Sequence, residues 1–338
     1  MAVQPRLYRG DDAGAPTTTN AQGAYDIFKA VLVDGYGAQP AAGWSVVLDD
    51  WANGGAVVFT NAGESGVFGV VADDGSSSEY FEASLFIADG MADTVTPVNG
   101  RTGPYAIADI SALLSRSDRQ GLYKIGAAGW AAIANEHVAI FWFSRLTAGW
   151  IYSEENRNYY DITCLAIGAT RSLRGLGDMS AASIGNFIAM GGCLGSYKSC
   201  SWDQYDSACV LRDHDNAVPA GYLAGNAAVF AQYHGVGEDN ADSIVYQPIQ
   251  ALDIWASTST NDETKMQHSL LPMLLYFPQL AKSSATESTS QGRDFSPRIY
   301  SGGDLLTSEF ELAGKTCIMA PLPSNARVIV SMELEDWQ

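Results

Sequence analysis

The chain has 338 residues, 47% of them hydrophobic, and a formal net charge of −19 from 38 acidic against 19 basic side chains. That length and apolar content support sizeable cores and a default of two domains. The acidity repels nucleic-acid phosphates and anionic lipid, so nucleic-acid binding and membrane insertion are set aside, and no stretch reaches the ~18 apolar residues of a membrane span.

Charged residues are only 17%, and 34 glycines with abundant alanine, serine and threonine take their place. Such a mixture suits turns and closely packed strands. Residues 1–19 are polar, with Pro5, Pro16 and Thr17-Thr18-Thr19, and read as an extended N-terminal arm. A helix is expected over 20–34, because Ala24, Ile27, Phe28, Val31 and Leu32 fall on one helical face while Asp26 and Lys29 lie on the other. Gly35 and Gly37 supply its stop. Strands follow at Trp44–Leu48, Ala56–Thr60 and Val67–Ala72, separated by Asn53-Gly54-Gly55 and Asn61-Ala62-Gly63. Phe81, Ala83, Leu85 and Ile87 alternate with Tyr80, Glu82, Ser84 and Phe86, the pattern of a strand with one buried face. Helix and strands make a first module over 20–103.

Pro104 suits the first turn of a second helix, expected to end near Arg116, with Ile107, Ile110, Leu113 and Leu114 as its apolar face. Strands are expected at Gly121–Ile125, Gly129–Ile133, Val138–Phe143, Trp150–Ser153 and Tyr160–Ala166. Val138–Phe143 is apolar on both faces, so it is central in its sheet or covered by another subunit. Ala41-Ala42-Gly43-Trp44 recurs as Ala127-Ala128-Gly129-Trp130, a hint of internal duplication. Residues 168–243 read as long loops with a few strands, and 257–265 and 283–291 as exposed polar stretches. The last strand candidates are Ile249–Trp255, Leu271–Phe277, Phe310–Met319 and Arg327–Met332. The fold class is therefore α+β, predominantly antiparallel β, with a β-rich and loop-rich second module over 104–338.

Chemistry is hard to find. The five cysteines are Cys164, Cys193, Cys200, Cys209 and Cys317, an odd number that reads as reduced thiols. Cys193, Cys200 and Cys209 cluster with His214 and Asp215, but their spacings lack the tight ligand pairs of structural zinc. Asp213-His214-Asp215-Asn216, with Asp203 and Asp206 upstream, places oxygen ligands at alternate positions as calcium loops do, yet Ala217 breaks the pattern and a solvated turn is the better reading. Glu238-Asp239-Asn240 with Asp242 is read likewise. Asp49-Asp50, Asp73-Asp74 and Glu154-Glu155 are adjacent acids, which on a strand point to opposite faces and make poor glycosidase dyads. No nucleophile elbow, phosphate loop or dinucleotide fingerprint occurs. Arg9-Gly10-Asp11 spells an adhesion tripeptide and is read as chance. Trp44, Trp130 and Trp150 stand at strand entries, where an aromatic closes a core. No catalytic, cofactor-binding or metal-binding residue is nominated, and the chain is not expected to be an enzyme.

Leu7-Tyr8-Arg9-Gly10-Asp11-Asp12-Ala13-Gly14-Ala15-Pro16, the helix, and Val31-Leu32-Val33-Asp34-Gly35-Tyr36-Gly37-Ala38-Gln39-Pro40-Ala41-Ala42-Gly43-Trp44 resemble, in that order, a family of virion structural proteins of tailed phages. Phe68–Asp74, Tyr80–Ile87 and Met91-Ala92-Asp93 continue the likeness. It is specific over 7–93 and worn beyond, as at Gly177-Asp178 and at Glu335-Asp336-Trp337. The resemblance implies a structural subunit at the tail tip, baseplate or fibre attachment, partnered by other virion subunits and by copies of itself. Reading of a host-surface glycan is the alternative, and a head-decorating fibre protein a further one. The virion is then the location, after synthesis in the bacterial host cytoplasm. An arm without apolar periodicity is expected to order only by lying on another subunit, so that removing 1–19 would leave a folded chain.

Overall fold

The computed structural model describes residues 4–17, 21–63, 66–72, 81–102, 105–114, 121–123, 129–144, 162–169, 171–172, 187–192, 207–209, 225–228, 244–248, 253–256, 269–270, 275–280, 309–312, 314–321 and 327–337. The fold is α+β and β-rich, with antiparallel sheets and one N-terminal helix packed on them.

The expected helix forms as α1, Ala21–Lys29, and runs into a wider π turn, Ala30–Asp34. Ala24, Ile27, Phe28, Val31 and Leu32 are all fully buried, as the periodicity requires. Strands β1 (Arg6–Arg9), β2 (Ser45–Asp49), β3 (Ala56–Thr60), β4 (Val67–Ala72) and β5 (Phe81–Ala88) come first. After them run β6 (Gly90–Met91), β7 (Pro97–Val98), β8 (Arg101–Thr102), β9 (Tyr105–Ala106) and β10 (Gly121–Tyr123). One sheet has the order β2-β3-β4-β5-β8-β9, with β10 also pairing β5. A second is built from β1, β11 (Trp130–Ala134), β12 (Val138–Ser144), β13 (Ile162–Ala169), β15 (Phe187–Gly192) and β16 (Ser207–Cys209), in that order. The small strand β14 (Arg171–Ser172) pairs instead with Ser269–Leu270.

Helix α1 joins the two sheets. Its Phe28 ring lies edge-on to Phe68 of β4 at 5.2 Å and to Phe141 and Phe143 of β12 at 4.8 and 5.9 Å, measured between ring centroids. One hydrophobic core therefore draws on Val57, Phe68 and Leu85 from the first sheet and Trp130, Phe141 and Leu165 from the second. The helix shares its apolar face between both sheets, whose strands lie on either side of the expected boundary at 103/104.

Several expectations are corrected. Residues 6–9 order on their own chain: β1 pairs antiparallel with β11 from Arg6↔Ala134 to Arg9↔Ala131, and Tyr8 is fully buried. The arm needs no apolar periodicity, since the sheet supplies its hydrogen bonds and one aromatic anchors it. β5 is buried on both faces over 83–88, not one. Ala83, Leu85 and Ile87 face the shared core, while Phe86 and Ala88 join a second cluster with Ile107, Ile110 and Leu113. The second helix shrinks to α2, Ile110–Leu114, because Tyr105–Ala106 pairs with Arg101–Thr102 in a hairpin. Asp109 then opens α2 by accepting from the backbone N–H of Ser111.

Val138–Phe143 is buried throughout and is central in its sheet, between β11 and β13. In the repeated Ala-Ala-Gly-Trp sequence, Trp44 stands just before β2 and Trp130 opens β11, each strand leading into an antiparallel meander, while Ala127 and Ala128 lie outside the described residues. Farther along, Gly225–Ala228 pairs with Asp253–Ala256, and a five-stranded sheet has the order Ile244–Pro248, Leu275–Leu280, Arg327–Ser331, Lys315–Pro321, Phe310–Leu312. The expected strand Phe310–Met319 is thus a hairpin that turns at Gly314. Trp150–Ser153 and the polar stretches 257–265 and 283–291 lie outside the described residues.

Candidate functional site

The residues that carry the N-terminal motif meet at one junction between α1, β1 and β11. A helix C-terminus leaves carbonyls without partners. Here the π turn ends at Gly35, whose φ of +74° suits glycine, and Tyr36 and Gln39 close a tight turn by exchanging backbone hydrogen bonds. The chain doubles back, so the N–H groups of Ala42 and Trp44 donate to the carbonyls of Val31 and Leu32 at 2.8 and 2.9 Å. The Gly-Tyr-Gly-Ala-Gln-Pro-Ala-Ala-Gly-Trp stretch is, physically, the helix cap.

The same turn grips the arm. Gly37, at φ +53°, packs so closely on Ala13 that a Cβ would collide with the Ala13 carbonyl oxygen. The Tyr36 hydroxyl donates to Asp12 Oδ2 at 2.9 Å and accepts from the Arg9 N–H at 2.9 Å. Gln39 Nε2 donates to the same Asp12 oxygen at 3.2 Å. Tyr8 donates to the Pro40 carbonyl at 2.9 Å, and Arg6 Nη1 to that of Ala41 at 3.2 Å. On the other flank the Gly10 N–H donates to the Trp130 carbonyl, and the Trp130 indole donates to Pro16, each at 2.9 Å. Burial, and then the Asp12 carboxylate, hold the Tyr36 phenol far above its ordinary range. Burial also raises Tyr8, against the opposing Arg6 guanidinium. A phenol kept neutral and multiply bonded is a joint, and it is poorly suited to proton transfer near neutral pH.

The chain's far end reaches this region. The carbonyl of buried Trp337 accepts from Asn135 Nδ2 at 3.4 Å, and that of Met332 from Gln4 Nε2 at 3.2 Å. Asn135 also receives Trp44 Nε1 on its carbonyl at 2.9 Å, so Trp44, the β11–β12 turn and the C-terminal residues are tied together.

A second polar cluster lies on the outer side of α1. Trp51 and Tyr25 stack with centroids 5.0 Å apart and planes 25° from parallel. Tyr25 donates to Asp49 Oδ2 at 2.8 Å, Lys29 Nζ lies 3.2 Å from the same oxygen, and Trp51 Nε1 donates to Gln22 Oε1 at 2.9 Å. The Tyr25 hydroxyl, followed by Asp49, raises the Lys29 ammonium. Slight burial pushes Asp49 upward, but the bonds from Tyr25 and Lys29 outweigh it and hold the carboxyl below its usual range.

Of the acids singled out from sequence, Asp49 belongs to this cluster, while neighbouring Asp50 turns to Asn53 Nδ2. Adjacent acids are thus sent to separate partners. Asp73-Asp74, Glu154-Glu155, Cys193, Cys200, Asp203, Asp206, Asp213–Asn216 and Glu238–Asp242 lie outside the described residues, and Cys209 is placed in β16 by its backbone alone. Among the described residues no group of three or more His, Cys, Asp or Glu is placed to hold a metal, and no helix is long and apolar enough to cross a membrane. Arg9 and Gly10 serve the arm ladder and its turn. The outer cluster was missed from sequence, although Gln22, Tyr25, Asp26 and Lys29 repeat the i, i+3, i+4, i+7 spacing of a second helical face. Comparison with family models, with curated proteins and with solved structures finds no match to this chain.

Proposed function

We propose that the chain is a structural subunit of a tailed-phage virion, part of the tail tip, baseplate or fibre-attachment assembly, acting through contacts with other virion subunits and with copies of itself. The observation that carries this reading is where the motif residues go. Tyr8, Asp12, Tyr36, Gly37 and Trp44, which carry the resemblance, are used to cap a helix and to lock an arm into a sheet. A sequence signature whose members hold one another in place is the signature of a shape. A low charged fraction of 17% also makes surface cheaper to desolvate, which suits large subunit interfaces.

The test is made on particles. Purified virions from a host that encodes this chain should contain it in stoichiometric amount, and density for the β1–β11 sheet and α1 should be found at the tail tip or baseplate. Virions that lack the chain, and that stay complete and infectious when its gene is deleted, would refute the proposal.

A further inference from the structure

Among the described tryptophan side chains, Trp44, Trp130, Trp142 and Trp337 are buried, and Trp51 alone keeps part of its ring at the surface. It stands on the turn Trp51–Asn53, directly after edge strand β2, and its stack with Tyr25 makes a two-ring ledge on α1. Every polar edge of the ledge is already tied. The indole N–H is held by Gln22, Gln22 Nε2 by Asp26 Oδ1 at 2.8 Å, and the phenol by Asp49 and Lys29. The rings are therefore set in the free protein, and a ligand would not have to order them.

The Tyr25 ring is itself occupied, stacked on Trp51 and with Lys29 Nζ over it at 5.2 Å from the centroid, so what remains on offer is the exposed part of the Trp51 indole, bordered by carboxylate oxygens with lone pairs to spare. The border is acidic: Asp26, Asp49 and Asp50 stand against one cation, Lys29, itself matched by Asp49. On β2, which leads into the ledge, Val47 is 47% exposed at a bulge where the strand shifts register against β3. Such a bulge twists an edge strand away from strand-to-strand pairing, so the face is shaped for side-chain contacts.

We infer that this ledge docks an arginine-bearing, net basic segment of a neighbouring protein subunit. The identity of the neighbour rests on the virion reading; the chemistry of the ledge does not. A guanidinium is flat, weakly hydrated and always charged, so it lies on an indole ring while its N–H fork reaches carboxylates. An ammonium is a hydrated point charge and matches the ring face less well. The surplus of negative charge on the chain steers a basic segment in and turns phosphate-bearing ligands away. Aromatic rings and arginine are also the pairing most enriched at the energetic centres of interfaces.

The experiment uses the full chain with 15N-labelled tryptophan, the Trp51 indole resonance being assigned by Trp51→Phe. A capped peptide alternating arginine and glycine is titrated, beside its citrulline counterpart, which keeps the planar group and loses the charge, and beside chitohexaose. The arginine peptide should shift the Trp51 indole signal and leave those of Trp44, Trp130, Trp142 and Trp337 in place. Its affinity should fall severalfold as salt is raised past physiological strength. Asp26→Asn should weaken it further without altering the other indole signals. A Trp51 signal unmoved at millimolar arginine peptide, moved equally by the citrulline peptide, or moved by chitohexaose in its place would overturn the inference, the last in favour of a saccharide ledge. A chain absent from particles that still binds the arginine peptide would sink the virion reading and leave this one standing.

Discussion

Replacing Phe28 by alanine tests the claim that one helix joins two sheets. The ring is fully buried and has three aromatic neighbours, Phe68 on one sheet and Phe141 and Phe143 on the other. Deleting a buried phenylalanine side chain costs about 3–5 kcal/mol, part of it from the cavity left behind. Each well-placed ring pair adds roughly 0.5–1.5 kcal/mol beyond area burial, so the upper end, about 4–5 kcal/mol, is expected here. Against a native stability on the order of 5–15 kcal/mol, that is roughly a quarter or more. Urea unfolding would be followed by tryptophan fluorescence and by far-ultraviolet circular dichroism. Both transitions should move together to lower urea, by roughly 1 M or more. Phe28→Leu, which keeps most of the volume, should recover much of the loss. A loss below about 1.5 kcal/mol would refute the shared-core argument, being what volume-conserving changes cost. So would a split into two transitions of which only one moves.

Removing residues 1–17 should expose Trp130 and the free edge of β11, giving a chain that aggregates or melts markedly lower in calorimetry; a soluble chain with unchanged melting would show the arm to be dispensable. Tyr36→Phe strips the arm joint of its hydroxyl and should cost about 1–3 kcal/mol in urea titrations. Because the folded state raises the Tyr36 pKa above the ordinary phenol value of about 10, its contribution is complete below that pH and declines as alkali ionises the unfolded chain. The stability of wild type should therefore fall more steeply above pH 10 than that of Tyr36→Phe, and equal slopes would contradict the assignment. Ser84 is fully buried and its hydroxyl has no partner among the described residues, so Ser84→Ala should be neutral or stabilising by up to about 1 kcal/mol, and a clear loss would reveal a bond beyond those residues.

Periodicity made most of the N-terminal architecture legible. The face of α1 and the bounds of β3 and β4 follow from residue spacing alone, because burial on one side leaves a periodic trace. What escaped has physical reasons. Alternation along β5 pointed to one buried face, yet the covering residues Ile107, Ile110 and Leu113 come from a later segment, which no local pattern in β5 can reveal. The arm was misjudged because a strand of four residues held by backbone bonds and a single tyrosine carries almost no hydrophobic period. The second helix was overextended because its apolar spacing is the same whether 105–106 turn into a hairpin or a helix, and only pairing with Arg101–Thr102 decides.

A structural motif looks from sequence like a functional one for a physical reason. Invariance of form is needed where backbone meets backbone. Gly37 must be glycine because Ala13 O occupies the place of a side chain, and Tyr36 must carry a hydroxyl because the Arg9 N–H and the Asp12 carboxylate turn toward it. Those two demands couple the arm to the helix cap, and the cap leads through Ala42 and Gly43 into Trp44, whose indole is fixed by Asn135 of the second sheet. Asn135 in turn holds the carbonyl of Trp337, near the other end of the chain. The arm, the helix, both sheets and the C-terminal residues are thus joined by a continuous series of hydrogen bonds. Tyr36, Asp12 and Asn135 are each consumed by the joints they make.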